Sequence, residues 1–519
     1  MRALFNHWAG RLADALRTPG PVDRTQIPAE ADPQGRQRPA QTPATARRAD
    51  ARRTPGPVVL SLLGWLLLAA LFTAWWIAHP GTSAVSRLAA LASCLLAGAV
   101  YGRWIPRAVS DFRGPGASVR PAQPRGPGRI TLRRQTLRVF LTLLAVGAGM
   151  PLLVYLLQIL SGSLDPFPQA LDIWRSTDGA HYLDIARDGY LQTGEWGRLV
   201  QLVFLPGYPL AIRAMRLLVS NELYAAMLVS ALCFAAGGTL FYRLLRLDAA
   251  EDDAHAFALR GVRYLCLLPG AFFFIAPLSE GLFLLLSVAC LYALRRRRWG
   301  LAGLMGGLAA FTRSTGVVLL VPALWEAARY LRATALTPPS TPRRALAARL
   351  RRWGPLAAAL LIPAGFGAYC LINYAVAANP LQFMTYQRVH WHQGLGLFFN
   401  TAAYQMGYAV ESFRNLSLDR ALGLWTPSLL CGFGSLVLMA WAAPRLRASD
   451  TAYFMAYYAV AMGATRLLSA PRYLLVALPL PMALAHLTRN RARDGVLTIA
   501  LTVFQVVYAW LFVNHWCVY

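Results

Sequence analysis

Apolar blocks of about 20 residues alternate with short polar segments along most of this chain, and that length matches a helix crossing a hydrocarbon layer. Val58–Ala78 and Leu88–Val100, the latter extended to Trp104, form a first pair joined by His79-Pro80-Gly81. Leu137–Leu160 and Leu223–Leu245 are the next long blocks, followed by two shorter pairs, Val262–Pro277 with Leu278–Leu294 and Leu301–Phe311 with Thr315–Leu331. Leu356–Ala377, Ala421–Ala443, Tyr453–Leu468, Leu474–Leu487 and Val496–Val513 complete the series. Leu202–Val219 is also apolar but carries Pro206, Pro209, Arg213 and Arg216, a pattern of a re-entrant or interfacial helix rather than a crossing. The expected fold class is therefore an all-α polytopic membrane protein with about 13 transmembrane helices.

Arginine placement orients these spans, because arginine-rich segments translocate poorly. Residues 1–56 hold ten arginines among Pro, Ala, Gln and Thr, with no signal-peptide core, and read as a disordered cytoplasmic arm. Arg103–Arg138 holds nine arginines and one acid, and Arg329–Arg352 holds seven arginines, so both are expected inside. It follows that Ser161–Val200, Asn379–Arg420 and the tip Ser469–Tyr473 lie outside, the first two as polar loops. The expected organisation is an arm (1–56), a two-helix extension with its basic loop (57–136) and a catalytic membrane domain (137–519).

Composition supports this and removes other classes. The chain is 56% hydrophobic and 14% charged, with a mean hydropathy of +0.41. Its net charge of +28 comes from arginine alone, since no lysine occurs. Arginine clustered between apolar blocks serves topology rather than nucleic-acid binding. The arginine, alanine and leucine bias fits a GC-rich, bacterial genome. The seven cysteines sit in apolar segments without paired spacing, as small core residues rather than a disulfide framework or zinc site.

Against this basic background, Ser161–Val200 has six carboxylates (Asp165, Asp172, Asp178, Asp184, Asp188, Glu195) and three arginines. The island Asp172–Tyr190 reads either as an acid-bearing catalytic loop or as a solvated loop on the side where arginine is disfavoured. Glu280, Arg313, the stretch His390-Trp391-His392 and Arg472 are expected at the same membrane face as Asp178. Ionisable residues at the edge of hydrocarbon mark candidate sites, while Glu280 with Arg313 also fits a structural ion pair and Arg472 an interface anchor. Group transfer from a lipid phosphate needs one base for the attacking hydroxyl and cations for the departing phosphate. One carboxylate and two arginines would suffice. His181 and Asp184, at three-residue spacing from Asp178, allow a metal cluster to be drawn, although such spacing is common by chance. His390 and His392 suit a polar cleft wall better than a ligand pair.

Asp178-Gly179-Ala180-His181-Tyr182-Leu183-Asp184-Ile185-Ala186, then Gly189-Tyr190 and Phe204-Leu205-Pro206-Gly207-Tyr208-Pro209-Leu210, resemble the first luminal loop of the PIG-V family, the GPI mannosyltransferase II group. Pro277-Leu278-Ser279-Glu280-Gly281-Leu282-Phe283, Thr312-Arg313-Ser314-Thr315-Gly316 and Pro471-Arg472-Tyr473-Leu474-Leu475 are similar to its later motifs. Thr177 stands where that pattern usually has tryptophan, and the first two spans lie outside the resemblance. The resemblance implies a GT-C fold glycosyltransferase that takes mannose from a polyprenyl or dolichyl phosphate, with inversion, on the non-cytoplasmic side. That side is the outer face of a bacterial cytoplasmic membrane, or the ER lumen in a eukaryote. Asp178 would be the catalytic residue, and His181, Tyr182, Glu280, Arg313, His390, Trp391, Arg472 and Tyr473 would bind substrate. No protein-bound metal or cofactor is expected, with a divalent cation left open. The implied partners are the lipid-linked donor, a glycan, glycolipid or protein acceptor, and the bilayer, with no nucleic acid. Two alternatives stay open: transfer of another lipid-phosphate-linked sugar, and transport of a lipid-linked saccharide. The gathering of polar clusters at one face favours an enzyme, since a transporter needs them near the midplane.

Overall fold

The computed structural model describes residues 56–113, 129–176, 178–190, 193–194, 197–198, 200–249, 254–335 and 352–518. The expected N-terminal arm, the centre of the arginine-rich loop near residue 120, Thr177, Glu195 and most of Arg329–Arg352 lie outside the described residues.

The fold is all-α. Among the described residues the main helices are α1 (Pro57–Ala78), α2 (Ala84–Arg113), α3 (Arg129–Leu160), α4 (Gly179–Asp188), α5 (Gly207–Met215), α6 (Glu222–Asp248), α7 (Ala254–Leu267), α8 (Glu280–Arg295) and α9 (Trp299–Thr312), then α10 (Leu320–Ala335), α11 (Leu361–Ala377), α12 (Gln382–His390), α13 (Phe398–Arg414), α14 (Thr426–Ala442), α15 (Ala448–Ala461), α16 (Ala470–Leu475), α17 (Pro479–Leu487) and α18 (Arg491–Val513). Short 3₁₀ turns and one π-helical stretch, Ala421–Trp425, link them. The described extended structure is a two-residue hairpin, β1 (Thr193–Gly194) with β2 (Gly197–Arg198), and an isolated bridge between Leu395 and Ala464.

Among the described residues, seven helical segments are long and apolar enough to cross a membrane: Pro57–Ala78, Ala84–Phe112, Ile130–Leu160, Glu222–Asp248, Arg352–Ala377, Leu418–Ala442 and Arg491–Val513. The remaining helices are shorter for identifiable reasons. α8 and α9 have 16 and 14 residues, about 24 and 21 Å at 1.5 Å per residue, less than the roughly 30 Å of hydrocarbon. α9 stops before Arg313, whose backbone is extended, and the six-residue α16 carries Pro471 in its first turn. Helices broken inside a membrane protein are tolerated where their ends are buried in protein or line a cavity. α5 has nine residues with Tyr208, Pro209 and Ile212 buried, the non-crossing helix expected from its two prolines.

Packing is tight at the centre. α6 lies against α3, α7 and α8, and α8 continues to α9, which lies against α11. A Cβ on Gly365 would run into the backbone of Gly307, so these two helices approach as only glycine permits.

One expected loop is corrected. Asn379–Arg420 is largely helical, as α12 and α13, and α13 buries Phe399, Thr401, Ala402, Ala403, Gln405 and Ala409. It packs on α2, and its buried side takes in Thr401 and Gln405 along with the apolar residues. α2 also contacts α14 and α15, Trp75 Nε1 donates to Asn400 Oδ1 at 2.8 Å, and Trp104 Nε1 donates to the carbonyl of Ala448 at 2.9 Å.

Candidate functional site

Four chain segments far apart in sequence deliver charged side chains to one end of the bundle. Asp178 caps α4, Glu280 is the first residue of α8, Arg313 follows α9, and Arg472 lies in the first turn of α16. Each therefore sits at a helix end, where the backbone stops and a side chain can reach across. α4 is held in place by its amphipathic face, with Tyr182, Leu183, Ile185 and Ala186 buried. Gly281 lets the start of α8 press against α6: a Cβ there would lie 2.8 Å from the Ser230 carbonyl oxygen and 2.9 Å from that of Phe274.

The four charges form a chain of ion pairs. Arg472 Nη2 donates to Asp178 Oδ2 at 2.5 Å, Arg472 Nε lies 3.4 Å from Glu280 Oε1, and Arg313 Nη1 donates to the same Glu280 oxygen at 2.5 Å and to Ser279 Oγ at 3.2 Å. Glu280 and Arg472 are nearly solvent-free, with side chains 1% and 8% exposed, whereas Asp178 keeps 30%. The structural ion pair anticipated for Glu280 and Arg313 is thus present, but as one link in a set that includes Asp178. Tyr473 lies under both cations, 5.2 Å from Arg313 and 5.8 Å from Arg472. The Tyr457 hydroxyl donates to the Tyr473 carbonyl at 2.7 Å and fixes that turn.

This set borders a cavity of about 110 Å³, whose lining includes Asp178, Tyr182, Glu280, Arg313, Arg472 and Tyr473. In the lining, Arg472 Nη1 and Glu280 Oε2 are among the polar atoms without a hydrogen-bond partner among the described residues. A cation with an unused donor beside a cavity is suited to an anion. The N-terminal ends of α4 and α8, marked by Asp178 and Glu280, finish at the same place and add the positive end of their dipoles.

Comparison with known proteins bears on what such a site does. No known family profile matches the chain. GPI alpha-1,6-mannosyltransferase 2 of Rattus norvegicus is 32% identical over 174 residues, which cover 30% of this chain and 32% of that protein. The chain thus matches about a third of the length of this curated relative. Two crystal structures of the Archaeoglobus fulgidus oligosaccharyltransferase are similar over 74% of this chain. The apo form gives 10% identity, a TM-score of 0.34 and 56% coverage of that chain. The form tethered with an acceptor peptide containing the NVT sequon gives 12%, 0.36 and 55%.

The other expected site residues fall around the cavity unevenly. His181 stacks on Phe204, a cavity-lining ring, with centroids 4.7 Å apart, and Trp391 meets both rings edge-on. Burial pushes the His181 imidazole below its ordinary value, with Asp178 and Asp184 pulling the other way. His390, exposed at the end of α12, packs against Tyr386 and Trp391 and is not in the cavity lining. His392 lines a different cleft. Gln387, Ser314 and Thr315 line the cavity and were not anticipated. Ser314 and Thr315 flank Arg313 in an already suspect motif, whereas Gln387 carried no signal beyond its place in a polar stretch.

The remaining acids of the Asp172–Tyr190 island are taken up locally. Arg175 binds Asp172 at 3.0 Å and Glu222 at 3.1 Å, and Arg187 binds Asp184 at 2.8 Å and Asp188 at 3.0 Å. Asp178 reaches instead across the chain to Arg472. Among the described residues, no group of three or more His, Cys, Asp or Glu side chains is placed to hold a metal ion.

Proposed function

We propose that this chain is an integral membrane glycosyltransferase that moves a mannosyl residue from a polyprenyl phosphate to an acceptor hydroxyl, with inversion, on the extracytoplasmic side. The observation that carries the reading is the Asp178–Arg472 pair at the mouth of the charged cavity, with Arg472 Nη1 unused. The mannosyltransferase identity rests on the partial similarity to the rat protein.

In this reading the donor phosphate binds Arg472 and Arg313, whose guanidiniums stay charged at any working pH and offer forked donors. Arrival of the phosphate competes for the guanidinium and frees Asp178 to accept a proton. The acceptor oxygen then attacks the anomeric carbon from the face opposite the phosphate. As the new C–O bond forms, the bond to phosphate breaks, the electron pair leaves with the ionised polyprenyl phosphate, and the hydroxyl proton passes to Asp178. No acid is needed, because the leaving phosphate is already anionic, unlike the two-carboxylate arrangement of glycoside hydrolysis. Glu280 holds the two arginines apart and oriented. His181 and Trp391 stiffen the Phe204 wall.

The test is incubation of purified protein with radiolabelled polyprenyl phosphate mannose and a host lipid extract. Label appearing in a new, larger product supports the reading, and label remaining on the donor under all conditions removes it. The sidedness is tested separately by labelling Leu164→Cys, 95% exposed before α4, on a background lacking the seven native cysteines. Reaction from the cytoplasmic side alone would invert the topology.

A further inference from the structure

A second and larger cavity, about 640 Å³, opens beside the charged one and is lined by Tyr408 and Glu411 of α13, Arg420 and Trp425 of the following turn, and Arg466. It continues into a further cleft of about 610 Å³ through Tyr404, Tyr408, Glu411 and Asn415, which are common to both. From Tyr404 to Asn415 this trough follows α13 for about 16 Å at 1.5 Å per residue. We propose that it binds the saccharide acceptor, as an extended oligosaccharide laid along α13. This inference rests on the transferase reading above for the word acceptor, though not for the binding of sugar.

The chemistry of the walls selects the ligand. Tyr408 is stacked on Trp425, with ring centroids 5.2 Å apart and planes 15° from parallel, and Tyr404 meets Trp425 edge-on at 6.1 Å. Tyr408 is 52% exposed while Trp425 is 7% exposed, so the buried ring supports an accessible one. Pyranose rings present a C–H face that packs on such a surface and a rim of hydroxyls that both donate and accept. Glu411, Arg420 and Arg466 are exposed beside the aromatic pair, and none is in an ion pair with another described residue. They supply acceptors and donors for that rim. A lipid tail would leave these groups desolvated and unpaired. Two features mark the trough as more than a surface hollow. Trp425 ends a π-helical stretch, a backbone form that occurs often at functional sites. Its indole N–H, although buried, has no hydrogen-bond partner.

A hydrogen-bonded strap links the trough to the charged cavity. Gln387 lines the cavity and donates to Gln393 at 2.6 Å, and Gln393 donates to the carbonyl of Arg466 at 2.9 Å, whose side chain lines the trough. Backbone bonds between Gly394 and Thr465 (2.8 Å) and between Gly396 and Gly463 (2.6 Å) close the strap. An acceptor in the trough lies one strap away from Asp178. The charged cavity, about 110 Å³, is smaller than the roughly 300 Å³ at which ligand clefts begin, so the trough is the larger space for a sugar chain.

The test uses full-length protein in nanodiscs without donor, probed by saturation-transfer NMR with neutral trisaccharides of mannose, glucose and N-acetylglucosamine and with a capped tripeptide. At least one trisaccharide is expected to bind wild type and Asp178→Asn equally, and Tyr408→Ala to weaken it by about tenfold. Tyr408 is half exposed, so its truncation leaves the core intact, and Glu411→Gln gives a second, isosteric variant expected to weaken binding less. Absence of trisaccharide binding, equal binding in Tyr408→Ala, or selective capture of the tripeptide overturns the inference. Sugar binding without any mannosyl transfer would instead sink the transferase reading and leave the trough. Transfer with an acceptor KM unchanged in Tyr408→Ala would do the reverse.

Discussion

The two ends of α8 carry two polar clusters built from the same residue types. At its start, Glu280 joins Asp178, Arg313 and Arg472. At its end, about 22 Å away at 1.5 Å per residue, Arg295 is fully enclosed and binds Asp450 through two contacts of 2.6 and 2.7 Å, with Asp248 at 3.4 Å and Glu326 at 3.7 Å. Arg447 bridges Asp248 (2.8 Å) and Glu326 (4.0 Å), Arg329 binds Glu326 and Asp111, and Trp325 Nε1 donates to Asp111 at 3.1 Å. This second network ties α2, α6, α8, α10 and α15 together. Asp248, Glu326 and Asp111 are each engaged by more than one partner, and Asp450 holds Arg295 Nη2 with both of its oxygens. The first cluster is open: Asp178 keeps 30% of its side chain exposed and lines a cavity together with Arg472, whereas Arg295 and Asp450 are enclosed at 0% and 2%. A closed network serves cohesion, and an open one can exchange an internal partner for a ligand.

That distinction can be broken by substitution. Asp450→Ala leaves Arg295 buried without its closest carboxylate and is expected to destabilise the protein by about 3–5 kcal/mol, seen as a lowered thermal midpoint, while transfer per folded molecule is unchanged. Loss of specific activity in a well-folded Asp450→Ala protein would erase the difference between the clusters. Asp178→Asn should show the opposite profile, with transfer falling about hundredfold or more, a smaller shift in midpoint and donor binding retained. Asp184→Asn and Asp188→Asn break surface pairs worth about 1 kcal/mol or less, so equal losses in all three would remove Asp178 from the catalytic role.

Smaller effects sharpen the same contrast. Arg472→Lys and Arg313→Lys keep charge but lose the forked geometry, and each should raise the donor KM by about tenfold with less change in kcat. Normal donor kinetics in both would make Arg313 and Arg472 structural, like Arg295. The smallest effect concerns His181. Its folded-state value lies below the ordinary one, so the unfolded chain binds more protons on mild acidification. The associated stability is complete above about pH 6.5 and is lost as pH falls toward the folded-state value. Between pH 7.5 and 5.5, the midpoint of wild type should fall further than that of His181→Gln, with equal slopes placing His181 in solvent.

Much of this was legible in the chain because membrane constraints act locally. Apolar blocks located α1, α3, α6 and α18 to within a few residues, apart from the arginine-rich first turns of α3, and the arginine punctuation found the ends of α8 and α10. The site motifs were visible where polar residues interrupt short apolar arms, as at Glu280 and Arg313. α13 was missed for a specific reason. Phe398, Phe399, Ala402, Ala403, Met406 and Ala409 follow a helical period, but Asn400, Tyr404, Gln405 and Glu411 between them gave the segment the average polarity of a loop. The partnership of Asp178 with Arg472 and the wall formed by Gln387 and Gln393 had no local signature, since they arise only when distant elements pack. The second network was hidden because Asp248, Glu326 and Asp450 lie singly among arginines that were read as topology signals.

The Asp178–Arg472 pair joins residues 294 positions apart. At roughly 5–20 residues per second, ribosomes need about 15–60 seconds to supply the arginine after the aspartate has emerged. Through that interval a nascent chain can insert most of its helices without holding a competent site. Synthesis thus carries its own safeguard: incomplete chains stalled before residue 472 would be membrane-bound yet unable to consume donor, and activity would appear only as the final helices arrive.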